Sequence, residues 1–446
     1  NKNKLKLEHI KTNISLKSFI NNELSLDDLQ ISTKTIDIKD VVLLTRSFQN
    51  SVELFLLDKI IKGGSLVADI NINFDKNGKI KDDYEVKGFV QGGKLKFLNN
   101  YNFNNLDFTF NIKNKKYLLE NIQSNFNKIK IASPVIKVQE KNSNFLVNGK
   151  LITEENIIDL DLLKFFSKNI FEKSNIKDIK LNSDNDFSFL LNKKFKISDL
   201  NLVSIINLEN LSYRNNSQKI KQYIPNYKGK IKLEKHKIKV MYKKDILEIE
   251  GRGNIKIEGN SDIIDYNLKK KNKAYFFDTT LTIDNNSFLV KPLKYKKKEK
   301  LKSILKLNGT YENNKQIIFD TISYNQGKNI LLIKRLILDN KLKISDLNLF
   351  ELNFINNIDI KNEISLIKNK KDYDISGKNF DASKFITDAL SDNVNSSTSL
   401  FKNQNYNLNI DIDKTYLDKV TYVNRLRGNI EFENNKVINL NLNSTF

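Results

Sequence analysis

The chain has no cysteine and no tryptophan, only three prolines, two histidines and one methionine. Without cysteine there are no disulfides, thiolate metal ligands or cysteine nucleophiles. An oxidising compartment stays open, because a secreted protein need not carry disulfides. His9 in KLEHI and His236 in EKHKIKV are too few for a histidine-rich metal site, and both read as solvated strand residues. Also missing are any run near the ~20 apolar residues of a membrane-crossing helix and any signal-type apolar core. Glycine is sparse, at 15 of 446 residues. GRG at 251–253 and the pairs at 63–64 and 92–93 form neither a dinucleotide fingerprint nor a phosphate loop, so they read as turns or bulges. Asp411 and Asp413 share one strand face but lack the spacing and central glycine of a calcium loop. The expectation is therefore no enzyme: no catalytic residue, no metal site and no cofactor.

What is abundant is lysine, asparagine and isoleucine. Lys plus Arg total 75 against 53 Asp plus Glu, a net charge of +22. Such an excess can attract anionic membranes or nucleic acid. Here the charge is spread over nearly every polar stretch instead of one basic patch interleaved with aromatics, so nucleic acid is not an expected partner and solubility is the safer inference.

A period of two runs through the sequence. In GSLVADININF, Leu66, Ala68, Ile70, Ile72 and Phe74 point one way, and Val67, Asp69, Asn71 and Asn73 the other. Asn77 and Gly78 follow as a hairpin turn. A further strand pair is expected in KDDYEVKGFVQGGKLKFLNN, with Gly92 and Gly93 at the bend. The habit continues through NNLDFTFNIKNKKYLLENIQSNFNKIKIASPVIKVQEKNSNFLVNGKL, with polar turns at NKK, SNFN and EKNSN. It returns in YKGKIKLEKHKIKVMYKKDILEIEGRGNIKIEG, in LKSILKLNGTYENNKQIIFD, in NYNLNIDIDKTYLDKV and in GNIEFENNKVINLNLN. Few crossover helices separate these strands, which argues for an antiparallel meander over βαβ units.

Two segments break the period. Residues 154–171 cluster Ile157, Ile158, Leu160, Leu162, Leu163, Phe165 and Phe166 densely enough for a helix, with Glu154 and Glu155 suited to its start and Lys168 to its end. Residues 381–390 predict a short helix with Asp381 as N-cap. SLKSFINNELSLDDLQ is a weaker helix candidate, and 391–405 reads as a polar loop. The expected organisation is sheet over 1–153, a helix at 154–171, sheet over 172–380, a helix at 381–390, the loop, and sheet again over 406–446. If a strand and its turn take roughly 15 residues, about 30 strands at ~4.8 Å spacing would extend about 140 Å. A flat open sheet of that size is improbable. Periodicity alone leaves two solutions open: several closed sandwiches, or a mainly β, elongated, curled antiparallel sheet forming a repeating groove with a few short helices.

GSLVADININFDKNGKI, YEVKGFVQGGKLKF and NNLDFTFNIKNKKYLLENIQSNFNKIKIASPVIKV, followed by FLVNGKL, resemble the repetitive middle of large AsmA-like envelope proteins of the YhdP and TamB type. YDISGKNFDASKFITDAL and the later YNLNIDIDKTYLDKVTYVNRLRGNIEFENNKVINLNLN resemble another part of such proteins, where a glycine, a short Asp-Ala helix and renewed strands recur. The resemblance spans much of residues 55–446. It implies a periplasmic bridge of a Gram-negative bacterium, anchored in the inner membrane in its full-length form, that moves phospholipid toward the outer membrane along a β-groove. The implied partners are phospholipid acyl chains, the inner and outer membranes through regions outside this sequence, and other envelope proteins. The strand-like ends at Asn1 and Phe446 are read as those of an excised piece. Leu66, Ile70, Ile72, Phe108, Phe110, Leu408, Ile410 and Ile412 are the candidate groove-lining residues. The competing expectation is a structural or adhesive β-repeat with a closed core.

Overall fold

The computed structural model describes residues 6–14, 26–48, 52–75, 77–97, 101–142, 144–159, 175–215, 218–384, 386, 405–434 and 436–445. These residues divide between two units, one built on 1–159, 180–207 and 239–244, the other on 160–179, 208–238 and 245–446.

The first unit carries β1 (Leu7–Ile14), β2 (Leu26–Thr33), β3 (Ile36–Asp37), β4 (Ile61–Asn73) and β5 (Glu85–Phe97). It continues with β6 (Tyr101–Lys113), β7 (Lys116–Phe126), β8 (Ile129–Lys141) and β9 (Asn144–Ile158). β1, β2, β4 and then β5 to β9 pair antiparallel in that order, with β3 beside β2 on β4. Two helices that the strand pattern conceals, α1 (Ile38–Phe48) and α2 (Val52–Ile60), interrupt the meander before β4. The Asp37 carboxylate accepts the Lys39 N–H at 2.7 Å and caps α1, Val42 is buried, and Arg46 pairs with Asp58 at 2.6 Å to tie the helices together.

β10 (Ile176–Leu191), β11 (Ile197–Arg214), the short helix α3 (Gln218–Tyr223) and β12 (Lys230–Lys243) follow. The second unit then runs through β13 (Ile246–Ile257), β14 (Asn260–Lys271), β15 (Ala274–Ile283), the small hairpin β16 (Phe288–Val290) and β17 (Tyr295–Lys297), and β18 (Ser303–Glu312). It ends with β19 (Gln316–Gln326), β20 (Asn329–Asp339), β21 (Ile344–Ile355), β22 (Lys361–Asn369), β23 (Asp372–Asp381), β24 (Tyr406–Tyr416), β25 (Tyr422–Glu433) and β26 (Lys436–Thr445). β13, β14, β15 and β18 to β23 form one antiparallel meander, β24 joins β23 in parallel, and β25 and β26 resume the antiparallel order. Each unit is thus an open, repeating, mainly antiparallel sheet that extends by adding strands. At ~4.8 Å per strand, the twelve paired strands of the second unit reach about 53 Å along the hydrogen-bonding direction.

Turn chemistry explains why hairpins form so often with so little glycine. Asn114 and Lys115 both have positive φ (50° and 59°), as do Lys244 and Asp245 (49° and 61°), the requirement of the tight turn whose twist matches the flanking strands. A second device recurs at Asp75, Asn192, Asp339 and Asn356. Each side-chain oxygen accepts the N–H groups two and four residues on, at 2.8–3.1 Å, closing the loop between strands.

Several expectations need correction. Gly92 and Gly93 do not turn the chain: β5 runs straight through them. Gly92 (φ +62°) instead forms a bulge whose N–H donates to the Asp107 carboxylate at 2.6 Å. The helix expected over 154–171 does not begin at Glu154, because 154–158 finish β9. There Glu154 pairs with Lys130 at 3.8 Å and Glu155 with Lys180 at 2.5 Å, so the acidic pair serves cross-strand partners and not a helix start. Residues 160–174 lie outside the described residues. The weaker helix over 15–30 ends within β2, which begins at Leu26; 15–25 are outside the described residues. At 381–390 the first turn is present: Ser383, Lys384 and Ile386 are helical, the Ile386 N–H donates to the Ala382 carbonyl at 3.0 Å, and the Asp381 carboxylate accepts the Ser383 N–H at 3.1 Å as the N-cap. Residues 387–404, including nearly all of the expected loop, are outside the described residues.

Candidate functional site

Alternation fixes which side chains share a sheet face, and pairing fixes which of them line up across strands. In the second unit one register line joins Gly251, Tyr266, Thr279, Leu307, Ile322, Ile333, Phe350, Leu366, Ile375, Ile410, Gly428 and Leu442, crossing twelve strands from β13 to β26. Thr279 is its one aliphatic hydroxyl and there is no charge. A parallel line two residues along runs from Gly253 through Ile264, Leu281, Leu305, Tyr324, Leu331, Leu352, Ile364, Gly377 and Ile412 to Leu426. The line between them, on the opposite face, reads Arg252, Asp265, Thr280, Lys306, Ser323, Leu332, Glu351, Ser365, Ser376, Asp411, Arg427 and Asn443. Arg252 pairs with Asp265 at 3.4 Å and Arg427 with Asp411 at 2.8 Å on that wet side.

The first unit repeats the arrangement. Ile10, Ile31, Ile70, Val86, Ile112, Tyr117, Val138 and Val147 align across eight strands. Beside them run Ala68, Gly88, Phe110, Leu119, Ile136 and Gly149. Glycine at 88 is required by close approach: a Cβ there would lie 2.2 Å from the Val67 carbonyl oxygen and 2.8 Å from the Phe110 ring, which occupies the space instead. The opposite face carries Ser32, Asp69, Lys87, Asn111, Leu118, Lys137 and Asn148 in register.

Burial separates an open face from a closed one. A sheet packed over the twelve-strand line at ~10 Å would bury it as a sandwich core. Every one of its twelve members instead keeps partial exposure. The neighbouring line is more enclosed, with Tyr324, Leu352 and Ile412 at 7, 5 and 4 % exposure. Tyr324 and Leu352 are covered by the 284–302 insertion between β15 and β18, whose Phe288, Val290, Leu293 and Tyr295 pack on Tyr324, Leu352 and Phe354. Asp262 holds one end of that insertion by accepting the N–H groups of Asp284, Asn285 and Asn286 at 2.7, 2.8 and 3.2 Å. Lys297, fully buried, donates to the carbonyls of Asp284 and Lys298 at 3.2 and 3.0 Å, and burial holds its ammonium below the usual lysine range. Lys294 fastens the other end through Asp381 at 3.3 Å and the Ser383 hydroxyl.

No protein-family model, curated protein or solved structure matches this chain.

Of the eight residues singled out from sequence, four fall on these lines, and the eight divide between the two units. In the first unit Ile70 lies on the eight-strand line, Phe110 on its neighbour, Leu66 and Phe108 flank Val90 on a third, and Ile72 faces Leu29. In the second, Ile410 and Ile412 lie on the two long lines, while Leu408 pairs with Tyr373 and Ile430. The centre of the long face, Leu307, Ile322, Ile333, Phe350, Leu366 and Ile375, was not singled out. Its signal was available in the alternation of each strand, but its alignment depends on bulges such as the shifts at Asn308/Gly309 and Glu363/Ile364.

Chemistry-bearing groups are scattered. His9 meets the Ser32 hydroxyl at 3.1 Å on an exposed strand. His236 is not solvated: at 1 % exposure, it places Nε2 3.0 Å from the Asn254 carbonyl and Nδ1 3.3 Å from the Tyr266 hydroxyl. Burial pushes its pKa down. Among the described residues, no group of three or more His, Asp or Glu is placed to hold a metal ion, and no helix is long and apolar enough to cross a membrane.

Proposed function

We propose that this chain is part of an AsmA-like envelope protein of the YhdP and TamB type, in which the apolar sheet face of each unit holds phospholipid acyl chains during passage between the inner and outer membranes of a Gram-negative periplasm. The observation that carries the reading is the twelve-strand apolar line, partly exposed throughout and backed by a charged, hydrogen-bonding face. An acyl chain laid on such a surface gains up to about 0.8 kcal/mol for each methylene removed from water. Head groups would stay at the wet margin. Because all contacts along the line are of one kind, a chain has little reason to stop at any one strand, which suits movement better than storage. The role needs no catalytic residue, and the driving force would come from lipid gradients or partner proteins.

The test is to purify the chain from a bacterial host and identify bound phospholipid by mass spectrometry of the lipid extract, beside a variant with charges at Ile70, Phe110 and Ile410. Stoichiometric phospholipid that disappears in the still-folded variant supports the proposal. A folded parent free of lipid favours the structural-repeat alternative.

A further inference from the structure

The 284–302 insertion roofs a half-open cavity of about 140 Å³ against the second apolar line. Its roof is Phe288, Val290 and Leu293, and its floor includes Leu305, Tyr324, Leu331 and Leu352, four consecutive members of that line from β18 to β21. Its lining is of the kind found in the leucine- and phenylalanine-walled cavities of about 150 Å³ that accept benzene, except that it is open on one side, as entry of a chain end requires.

The polar groups at its wall are already satisfied. The Tyr295 and Tyr324 hydroxyls bond to each other at 2.7 Å, and Tyr295 also donates to the Gln326 amide oxygen. Asn329 donates to that same oxygen at 3.2 Å and accepts the Ile355 N–H at 3.1 Å. Burial and the shared hydrogen bond push the Tyr295 phenol far above its usual range, so it stays neutral. A carboxylate or phosphate entering here would lose its hydration without finding a free donor. A hydrocarbon end would lose nothing.

We propose that this cavity receives the methyl end of one alkyl chain, making the insertion a stop on an otherwise uniform surface. The inference rests on the acyl-chain reading of the sheet face. Continuity of floor and face selects the occupant: the chain that lies along the line is the one whose end reaches under the roof. The insertion is anchored on both sides, by Asp262 and Lys297 at its base and by Lys294 with Asp381 at its tip, so the cavity is held in shape before the chain arrives.

The chain has no tryptophan, so Phe288→Trp places a single tryptophan in the roof, excited at its long-wavelength edge apart from the tyrosines, and Leu293→Trp is an independent second reporter. Each is titrated with stearate brominated either near its methyl end or near its carboxyl, while equilibrium dialysis of labelled stearate measures binding to the parent. The expected result is bound stearate with stronger quenching by the methyl-end bromine in both reporters. Bound stearate that quenches neither reporter, or quenches equally from both ends, overturns the cavity assignment and leaves the acyl-chain reading standing. A folded parent that binds neither stearate nor phospholipid overturns both.

Discussion

A buried imidazole beside a glycine makes His236 a sensitive point. Its pKa is depressed in the folded chain, against about 6.5 in the unfolded one. Above that value the ring is neutral in both states. Below it the unfolded chain binds a proton that the folded chain still refuses, so stability falls as pH falls, starting near 6.5. We predict that His236→Gln removes this part of the slope in urea midpoints followed across that range; an unchanged slope would place its origin elsewhere. Gly253→Ala should also destabilise, by roughly 1–3 kcal/mol, because the new Cβ would sit 2.2 Å from His236 Cδ2. Sequence placed His236 on a strand correctly but not on its buried side. Yet the alternation itself was informative: Lys235, Lys237 and Lys239 are exposed, and His236 shares the inward face with Ile238 and Val240, so it was the titratable character of the ring and its lysine neighbours that pointed to solvent. Ile70, Phe110, Ile410 and Ile412 lie on regular stretches, where period two is enough to assign a face.

At the scale of elements, the polar node under the insertion joins parts distant in sequence. Asp381 ends β23, accepts the Asn356 amide at 2.7 Å, receives Lys294 and caps the turn that follows. Asp381→Ala should cost roughly 3 kcal/mol, since it strips a buried donor set of its acceptor. Thermal unfolding of the variant would show this, and a shift within error of zero would mean the insertion is held by apolar contact alone. Gly88→Val should pry β4 from β5 and raise amide exchange in both strands, whereas the same change at Gly63, where an added Cβ meets nothing within 4 Å, should leave β4–β5 exchange near the parent's; equal exchange in the two variants would remove the close-approach role given to Gly88. Strands and turns were legible because asparagine, aspartate and lysine carry both turn devices. The 284–302 insertion was not: FLVKPLKY has the composition of a strand, and only its folding back onto Leu305 and Tyr324 makes it a roof. α1 and α2 escaped for a related reason. In IKDVVLLTRSF and VELFLLDKI the apolar residues are dense enough to satisfy either period, and the decisive cap at Asp37 is a single side chain.

At the scale of the whole molecule, the described residues bury one apolar cluster under the 284–302 insertion, around Tyr295, Tyr324, Leu352 and Phe354, while others such as Ile122, Val147, Ile179 and Leu208 are spread singly along the strands. In the second unit the sheet is apolar on one face and polar on the other, yet partly exposed on both, which distinguishes an open face from the core of a sandwich. Sequence alternation predicted the two faces but not their openness, because an apolar residue facing acyl chain and one facing another sheet obey the same period. That choice is made by packing across the face. The most direct measurement is photo-crosslinking in a bacterial host with a diazirine side chain at Ile333, on the apolar line, and at Leu332, its equally apolar neighbour on the opposite face. The account predicts a phospholipid adduct by mass spectrometry at 333 and little at 332; adducts at both positions in equal yield, or at neither, would contradict it.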